Sequence, residues 1–166
     1  GFAGLLGAGR AELARSIFGH SYGTVLDGEV RMDGRVINTK GVSRAIKQGL
    51  AYVTEDRKVL GFNGLESIEE TTVAADLPRV SNGMGVISEG LQHTAAEDYR
   101  RQLNTRTPSV KSLTNKLSGG NQQKVVLAKW LFTQPDVLIL DEPTRGIDVG
   151  AKYEIYGIIQ RLAASG

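Results

Sequence analysis

Cysteine is absent from this chain of 166 residues, which excludes disulfides and thiolate-ligated metal sites. Charge of one sign is also scarce. The formal net charge of +2 is too small a bias to point to nucleic acid or an anionic membrane as a partner. No apolar run approaches the roughly 20 residues that span a bilayer, and the N-terminus carries no signal-peptide pattern. Any membrane role is therefore expected to come through a partner. Internal repeats and low-complexity stretches are missing too. What is present is ordinary: 40% hydrophobic and 23% charged residues, the balance of one globular domain large enough to bury a core.

Strand and helix patterns alternate along the chain. Arg10 to Phe18 places Leu13, Ala14, Ile17 and Phe18 at helical spacing, with Gly19 as a stop. Residues 28–38 alternate about Asp33-Gly34 and read as a β-hairpin. Ser43 to Gln48 reads as a short helix and Leu50 to Val53 as a short buried strand. From about residue 66 to residue 116 the pattern predicts helices at Ser67 to Leu77 and Gln92 to Arg106, around a loop-rich stretch from Pro78 to Gly90. We read this region as a helical subdomain inserted in an α/β core. Asn121 to Phe132 is helical, and Val137 to Leu140 has the continuous apolar run of a parallel strand buried on both faces. Asp148 can cap a last helix running to Ala164, with Ile155, Ile158, Ile159 and Leu162 in one stripe. Such alternation predicts an α/β fold with a mostly parallel sheet. The chain opens at the edge of a Gly-rich turn with no strand before it, and stops just after a helix. It reads as a piece of a longer protein.

Two segments carry most of the chemistry. Leu117 to Lys124 reads Leu-Ser-Gly-Gly-Asn-Gln-Gln-Lys, a polar turn opening a helix, where free N–H groups and the helix dipole favour a phosphate. Ser118, Gly119 and Gly120 are small enough for the backbone to approach one closely; Lys124 reads as a solvated helix lysine. Val137 to Thr144 reads Val-Leu-Ile-Leu-Asp-Glu-Pro-Thr, a strand that ends on two adjacent carboxylates, suited to holding magnesium and orienting a water.

A third segment departs from its pattern. A phosphate loop needs Gly-x-x-x-x-Gly-Lys-Ser/Thr, so that N–H groups and a lysine surround the phosphates while a hydroxyl binds magnesium. Gly4-Leu5-Leu6-Gly7-Ala8-Gly9-Arg10-Ala11 keeps the glycines but puts Arg10 in place of lysine and Ala11 in place of the hydroxyl. Arginine is a wider planar cation and not a simple substitute, and alanine cannot bind a metal. By itself such a turn also fits a structural strand-to-helix corner.

In this order the segments resemble the signature loop and Walker B strand of ATP-binding-cassette (ABC) ATPases, with Gly146-Ile147-Asp148 as the D-loop. Tyr52-Val53-Thr54-Glu55-Asp56-Arg57-Lys58 stands where that family places its Q-loop, with Glu55 near the expected glutamine. Together with the degenerate phosphate loop, they resemble the second, C-terminal nucleotide-binding domain of the tandem ATPase subunit of ribose-, xylose- and galactose-type importers. The resemblance covers essentially the whole chain.

It implies a P-loop NTPase core with a small antiparallel hairpin region and the inserted helical subdomain, residues 1–166 forming part of one nucleotide-binding domain. It implies ATP and Mg2+ as cofactors, with metal binding at the chain's own site put in question by Ala11. Gly4, Gly7, Ala8, Gly9, Arg10, Ala11 and Glu55 would line that site, with Asp141 toward the metal and Glu142 as catalytic carboxylate. Ser118, Gly119 and Gly120 would serve ATP held by an N-terminal half of the same subunit, and Asp148 would contact that half or simply cap its helix. Further implied partners are a transmembrane permease and a periplasmic or extracellular sugar-binding protein, with the chain peripheral on the cytoplasmic face of the membrane. The adenine-stacking aromatic and the switch histidine would lie outside the chain, and His20 and His93 fall in the wrong segments for the latter. Two rivals stay open: a soluble ABC-family ATPase of the DNA-repair or translation type, and a non-hydrolysing nucleotide sensor.

Overall fold

The computed structural model describes residues 7–19 and 28–164. Helix α1 (Arg10–Ile17) starts behind Gly9, whose φ of 81° is a left-handed conformation that glycine adopts without strain. Strands β1 (Val30–Met32) and β2 (Arg35–Ile37) pair antiparallel, Val30 opposite Ile37, across the turn at Asp33 and Gly34. Both turn residues have positive φ, 49° and 77°, which matches the twist of the strands they join.

Helix α2 (Val42–Lys47) leads into β3 (Leu50–Val53), which is buried along its whole length. Strand β4 (Val137–Leu140) runs parallel to it, with Leu50 opposite Val137 and Val53 opposite Leu140. The long crossover between them holds α3 (Ile68–Val73), α4 (Glu89–Gln102) and α5 (Gly119–Phe132), and α6 (Val149–Ala164) follows β4.

Helix α5 is the hub. Its Val126, Leu127 and Trp130 pack with Phe18, Val53 and Ile155 in the core under the parallel strands. Phe18 stands edge-on to Trp130 with ring centroids 5.3 Å apart, a favourable quadrupole arrangement. Val125, on another side of α5, joins Ile68, Ala96 and Val110 in a second core, and Phe132 joins Val73 and Val80 in a third. One helix thus lies between the strands and the helical region and is buried nearly all round, its Gln122, Gln123 and Lys124 included.

Four local expectations change. The helix expected from Ser67 to Leu77 ends at Val73, and Leu77–Val80 forms a separate 3-10 turn. Pro78 has no N–H to give the carbonyl of Ala74, so the α-helix cannot run through it. Helix α4 starts earlier than Gln92 because the Ser88 hydroxyl accepts from the Leu91 N–H and caps it. Lys124 is not solvated; only 2% of it is exposed. Its Nζ donates to the Asn104 carbonyl at 2.7 Å and to Glu154 Oε2 at 2.6 Å. Strand β4 is only partly covered, with Val137 exposed, and among the described residues it pairs with β3 alone.

Candidate functional site

The N-terminal turn and the end of β4 meet. Arg10 Nη1 lies 3.5 Å from Glu142 Oε1, with both side chains partly exposed. The residue in the lysine position of the Gly-rich turn therefore sits on the carboxylate expected to act on water. Glu142 has φ 44°, an uncommon conformation for a residue with a side chain, in the tight turn closed by the Arg145 N–H donating to the Glu142 carbonyl. Gly7 and Ala8 lie with Gly9 in the turn ahead of α1 and Ala11 in the first turn of that helix, while Gly4 and His20 lie outside the described residues.

Beside Glu142, the Tyr52 hydroxyl donates to Asp141 Oδ2 at 2.7 Å. Burial first, and then this bond to a carboxylate, push the Tyr52 hydroxyl up to about 12. It stays a proton donor throughout the physiological range. The donor set fits a resident divalent cation poorly. Ala11 offers no oxygen, Tyr52 engages one oxygen of Asp141, and the Arg10 cation stands at Glu142. Among the described residues there is no cluster of three or more His, Cys, Asp or Glu side chains that could hold a metal.

The signature turn is built differently. Ser118 occupies the N-cap of α5, and its Oγ accepts from Asn121 Nδ2 at 2.9 Å rather than from a backbone N–H of the first turn. The space around the two glycines is tight. A Cβ at Gly120 would come within 2.5 Å of the Ala151 Cβ on α6. One at Gly119 would come within 2.7 Å of Arg57 Nη2 and 3.3 Å of the Gly146 carbonyl. The glycines thus let α5 close on the segment from Gly146 to Ala151, a role separate from approach to a phosphate. Asp148 caps α6, accepting from the Ala151 N–H at 2.9 Å. A cavity of about 310 Å³ opens beside this turn, between Ser118, Gly120 and Asn121 on one side and Arg106, Asp148 and Glu154 on the other.

The segment after β3 joins the two groups. Glu55 Oε2 pairs with Arg145 Nη1 at 2.5 Å. Two residues on, Arg57 is 9% exposed and donates to Gln122 Oε1 and to the carbonyls of Arg145 and Gly146. The sequence reading singled out Glu55 and missed Arg57. The missed signal is its place in a charged run directly after a buried strand, where a side chain can turn inward. Of the other residues singled out, His93 pairs with Glu69 on the exposed flank of α4, remote in sequence from every motif described above.

A parallel strand ending in Asp-Glu, with a Gly-rich turn leading into a helix beside it, defines a P-loop NTPase. A profile of the ABC transporter family matches residues 1–145, and the chain belongs to that family. It is 55% identical, over all of its length, to the L-arabinose transport ATP-binding protein AraG of Geobacillus stearothermophilus. It is 48% identical to the xylose import ATP-binding protein XylG of Thermoanaerobacter pseudethanolicus and 45% to the ribose import ATP-binding protein RbsA of Clostridium perfringens. The chain spans about a third of the length of these relatives, 32% of AraG and XylG and 33% of RbsA. Two solved structures share the fold. An ATP-binding cassette of an ABC transporter, MJ1267 in its ADP conformation, superposes with a TM-score of 0.74 at 19% identity over 97% of this chain and 64% of that one. A nucleotide-free cassette from an ABC transporter gives 0.77 at 18% identity, over 98% and 64%.

Proposed function

We propose that this chain is part of the second, C-terminal nucleotide-binding half of an ABC importer's ATPase subunit, and that it acts on ATP mainly through its signature turn. Its sequence relatives are named for arabinose, xylose and ribose transport, which favours a monosaccharide as the cargo. In this reading residues 66–116 form the helical subdomain of the domain. Ser118, Gly119 and Gly120 face ATP, with its magnesium, held by the N-terminal half, and Asp148 lies at that interface. Closure of the two halves drives a transmembrane permease that receives sugar from a binding protein outside, the subunit itself being peripheral on the cytoplasmic face.

The chain's own site contributes little hydrolysis. The Arg10–Glu142 ion pair carries this part of the reading. A guanidinium at the catalytic carboxylate competes with the water that Glu142 would polarise, and Ala11 removes the hydroxyl ligand to magnesium. Gly7, Ala8 and Gly9 can still hold a phosphate through backbone N–H groups, with Glu55 flanking the site and Asp141 the carboxylate nearest any metal.

Steady-state ATP hydrolysis and vesicle uptake by the complete transporter test the division of labour. Gly119→Asp puts a negative charge into the signature turn and a Cβ against the Arg57 guanidinium and the Gly146 carbonyl, which displaces the turn that faces the partner's nucleotide. Loss of a preorganised donor costs about 100-fold or more in rate, and repulsion adds to that. Glu142→Gln should cost much less. Equal losses would mean that the chain's own site is a catalytic one despite Arg10 and Ala11.

A further inference from the structure

The segment after β3 is tied to the signature turn through one side chain. Arg57 divides its guanidinium among three acceptors on two other segments. Nε donates to Gln122 Oε1 at 3.3 Å, Nη1 to the Arg145 carbonyl at 2.8 Å and Nη2 to the Gly146 carbonyl at 3.1 Å. Gln122 stands in the first turn of α5, and its Nε2 in turn donates to the Leu117 and Asn115 carbonyls just ahead of Ser118. The same guanidinium lies where a Cβ on Gly119 would stand. Arg57 is therefore packed directly against the signature turn on one side and the 145–146 carbonyls on the other.

Its own backbone is held in place. The Asp56 carboxylate accepts from the Lys58 and Val59 N–H groups, starting the π-helical turn Arg57–Gly61. Gly61 lets that turn seat on α5, since a Cβ there would meet Arg57 Cβ and Val126 Cγ2, each at 3.1 Å. Glu55 grips the Arg145 side chain while Arg57 holds the carbonyl of the same residue. A buried cation that loses its acceptors is costly, so the first turn of α5 and the 145–146 segment are held in one relative position.

We infer that Arg57 is a positioning residue, which sets the signature turn against the nucleotide by locking the first turn of α5 to the Arg145-Gly146 carbonyls. The inference rests on the reading that the signature turn acts on ATP held by the other half. Arg57 touches no nucleotide in this scheme. It works through Gln122 and the loop, and a planar fork is required because an ammonium cannot reach three divergent acceptors at once.

The test uses the full-length subunit with its permease, comparing wild type, Arg57→Lys, Gln122→Met and Gly119→Asp by steady-state hydrolysis, ATP KM and thermal unfolding. A misplacement near 1 Å costs about 100-fold in rate. The expected result for Arg57→Lys is a kcat loss of that order with an ATP KM within about threefold of wild type, as for an interaction realised only in the transition state. Gln122→Met, which removes one of the three acceptors, should lower kcat in the same direction by less. Normal kcat in Arg57→Lys, or a raised KM at normal kcat, overturns the inference if Gly119→Asp abolishes hydrolysis. Should Arg57→Lys fail to fold, Gln122→Met decides by the same split, and its unchanged kcat overturns the inference. Undiminished hydrolysis in Gly119→Asp instead removes the underlying reading.

Discussion

Among the described residues Arg57, Lys124 and Lys129 are cations that turn inward, and each of these is stabilised by a different set of partners. Arg57 finds two carbonyls and an amide, and Lys124 a carbonyl and the carboxylate of Glu154. Lys129 donates to the Gly61 carbonyl at 2.5 Å and lies 4.7 Å from the centre of the Trp130 ring. Carbonyls and a ring face compensate charge less fully than a carboxylate does, and burial pulls the Lys129 amine down to about 8, with Glu66 opposing part of the shift. Between that value and the unfolded 10.5, the folded protein binds fewer protons than the unfolded chain, so stability rises with pH. From pH 7 to pH 9.5 this group should add about 2 kcal/mol. Urea unfolding at both pH values checks it: Lys129→Met should lose most of that rise relative to wild type. An identical rise in the mutant would place the titration elsewhere.

At the scale of elements, local chemistry accounts for where most helices and strands begin and end. Helix α3 is the clearest case. The Glu70 carboxylate accepts from the Ser67 N–H at 2.7 Å, while the Ser67 hydroxyl accepts from the Glu70 N–H at 3.2 Å. The Ser67 hydroxyl also donates to Glu70 Oε2 at 2.7 Å, and the two bonds to the carboxylate, the backbone N–H first and the hydroxyl second, hold the Glu70 carboxyl below its ordinary value. The stability they give is present above the unfolded carboxyl pKa and is lost as pH falls through the folded one. Ser67→Ala should cost about 1 kcal/mol at neutral pH and lower the melting temperature by about 2–4 °C. The gap from wild type should narrow in acid, and a constant gap across pH would assign the loss to the cap that the hydroxyl gives the Glu70 N–H rather than to its bond with the carboxylate. Such signals are local, which is why the hairpin, β3, β4 and α5 were legible from sequence: Asp33-Gly34, two apolar runs and a small-residue turn each act within a few residues. Arg57 and Lys124 were not. The partners of Arg57 lie 65 to 89 residues away and those of Lys124 lie 20 and 30, where no periodicity reaches. The contiguous apolar run Val125 to Ala128 was the one hint that α5 has no broad solvent face for Lys124 to occupy.

For the molecule as a whole, the proposed reading counts several departures from an intact phosphate site, grouped about the end of β4. Arg10 pairs with Glu142, Tyr52 donates to Asp141, and Glu55 is paired with Arg145. A site that had lost only its loop would keep carboxylates free for metal and water. Here Asp141 and Glu142 each have a protein partner of their own. Under the proposed reading, Arg10→Lys with Ala11→Ser in the complete transporter should therefore raise ATP-driven uptake little. The double change supplies a point charge and a hydroxyl, but leaves the Tyr52–Asp141 bond and the left-handed Glu142 turn as they are. Adding Tyr52→Phe should free Asp141 and let the restored loop gain more than it gains alone. Uptake into vesicles at saturating sugar and ATP, measured for the double and triple mutants, separates the alternatives. A large gain from the double mutant alone would make the loop the sole defect. A further gain in the triple mutant would instead place part of the loss in the pairing at the end of β4, because the hydroxyl removed there bonds Asp141 and, on α1, Arg15, but neither of the loop residues changed.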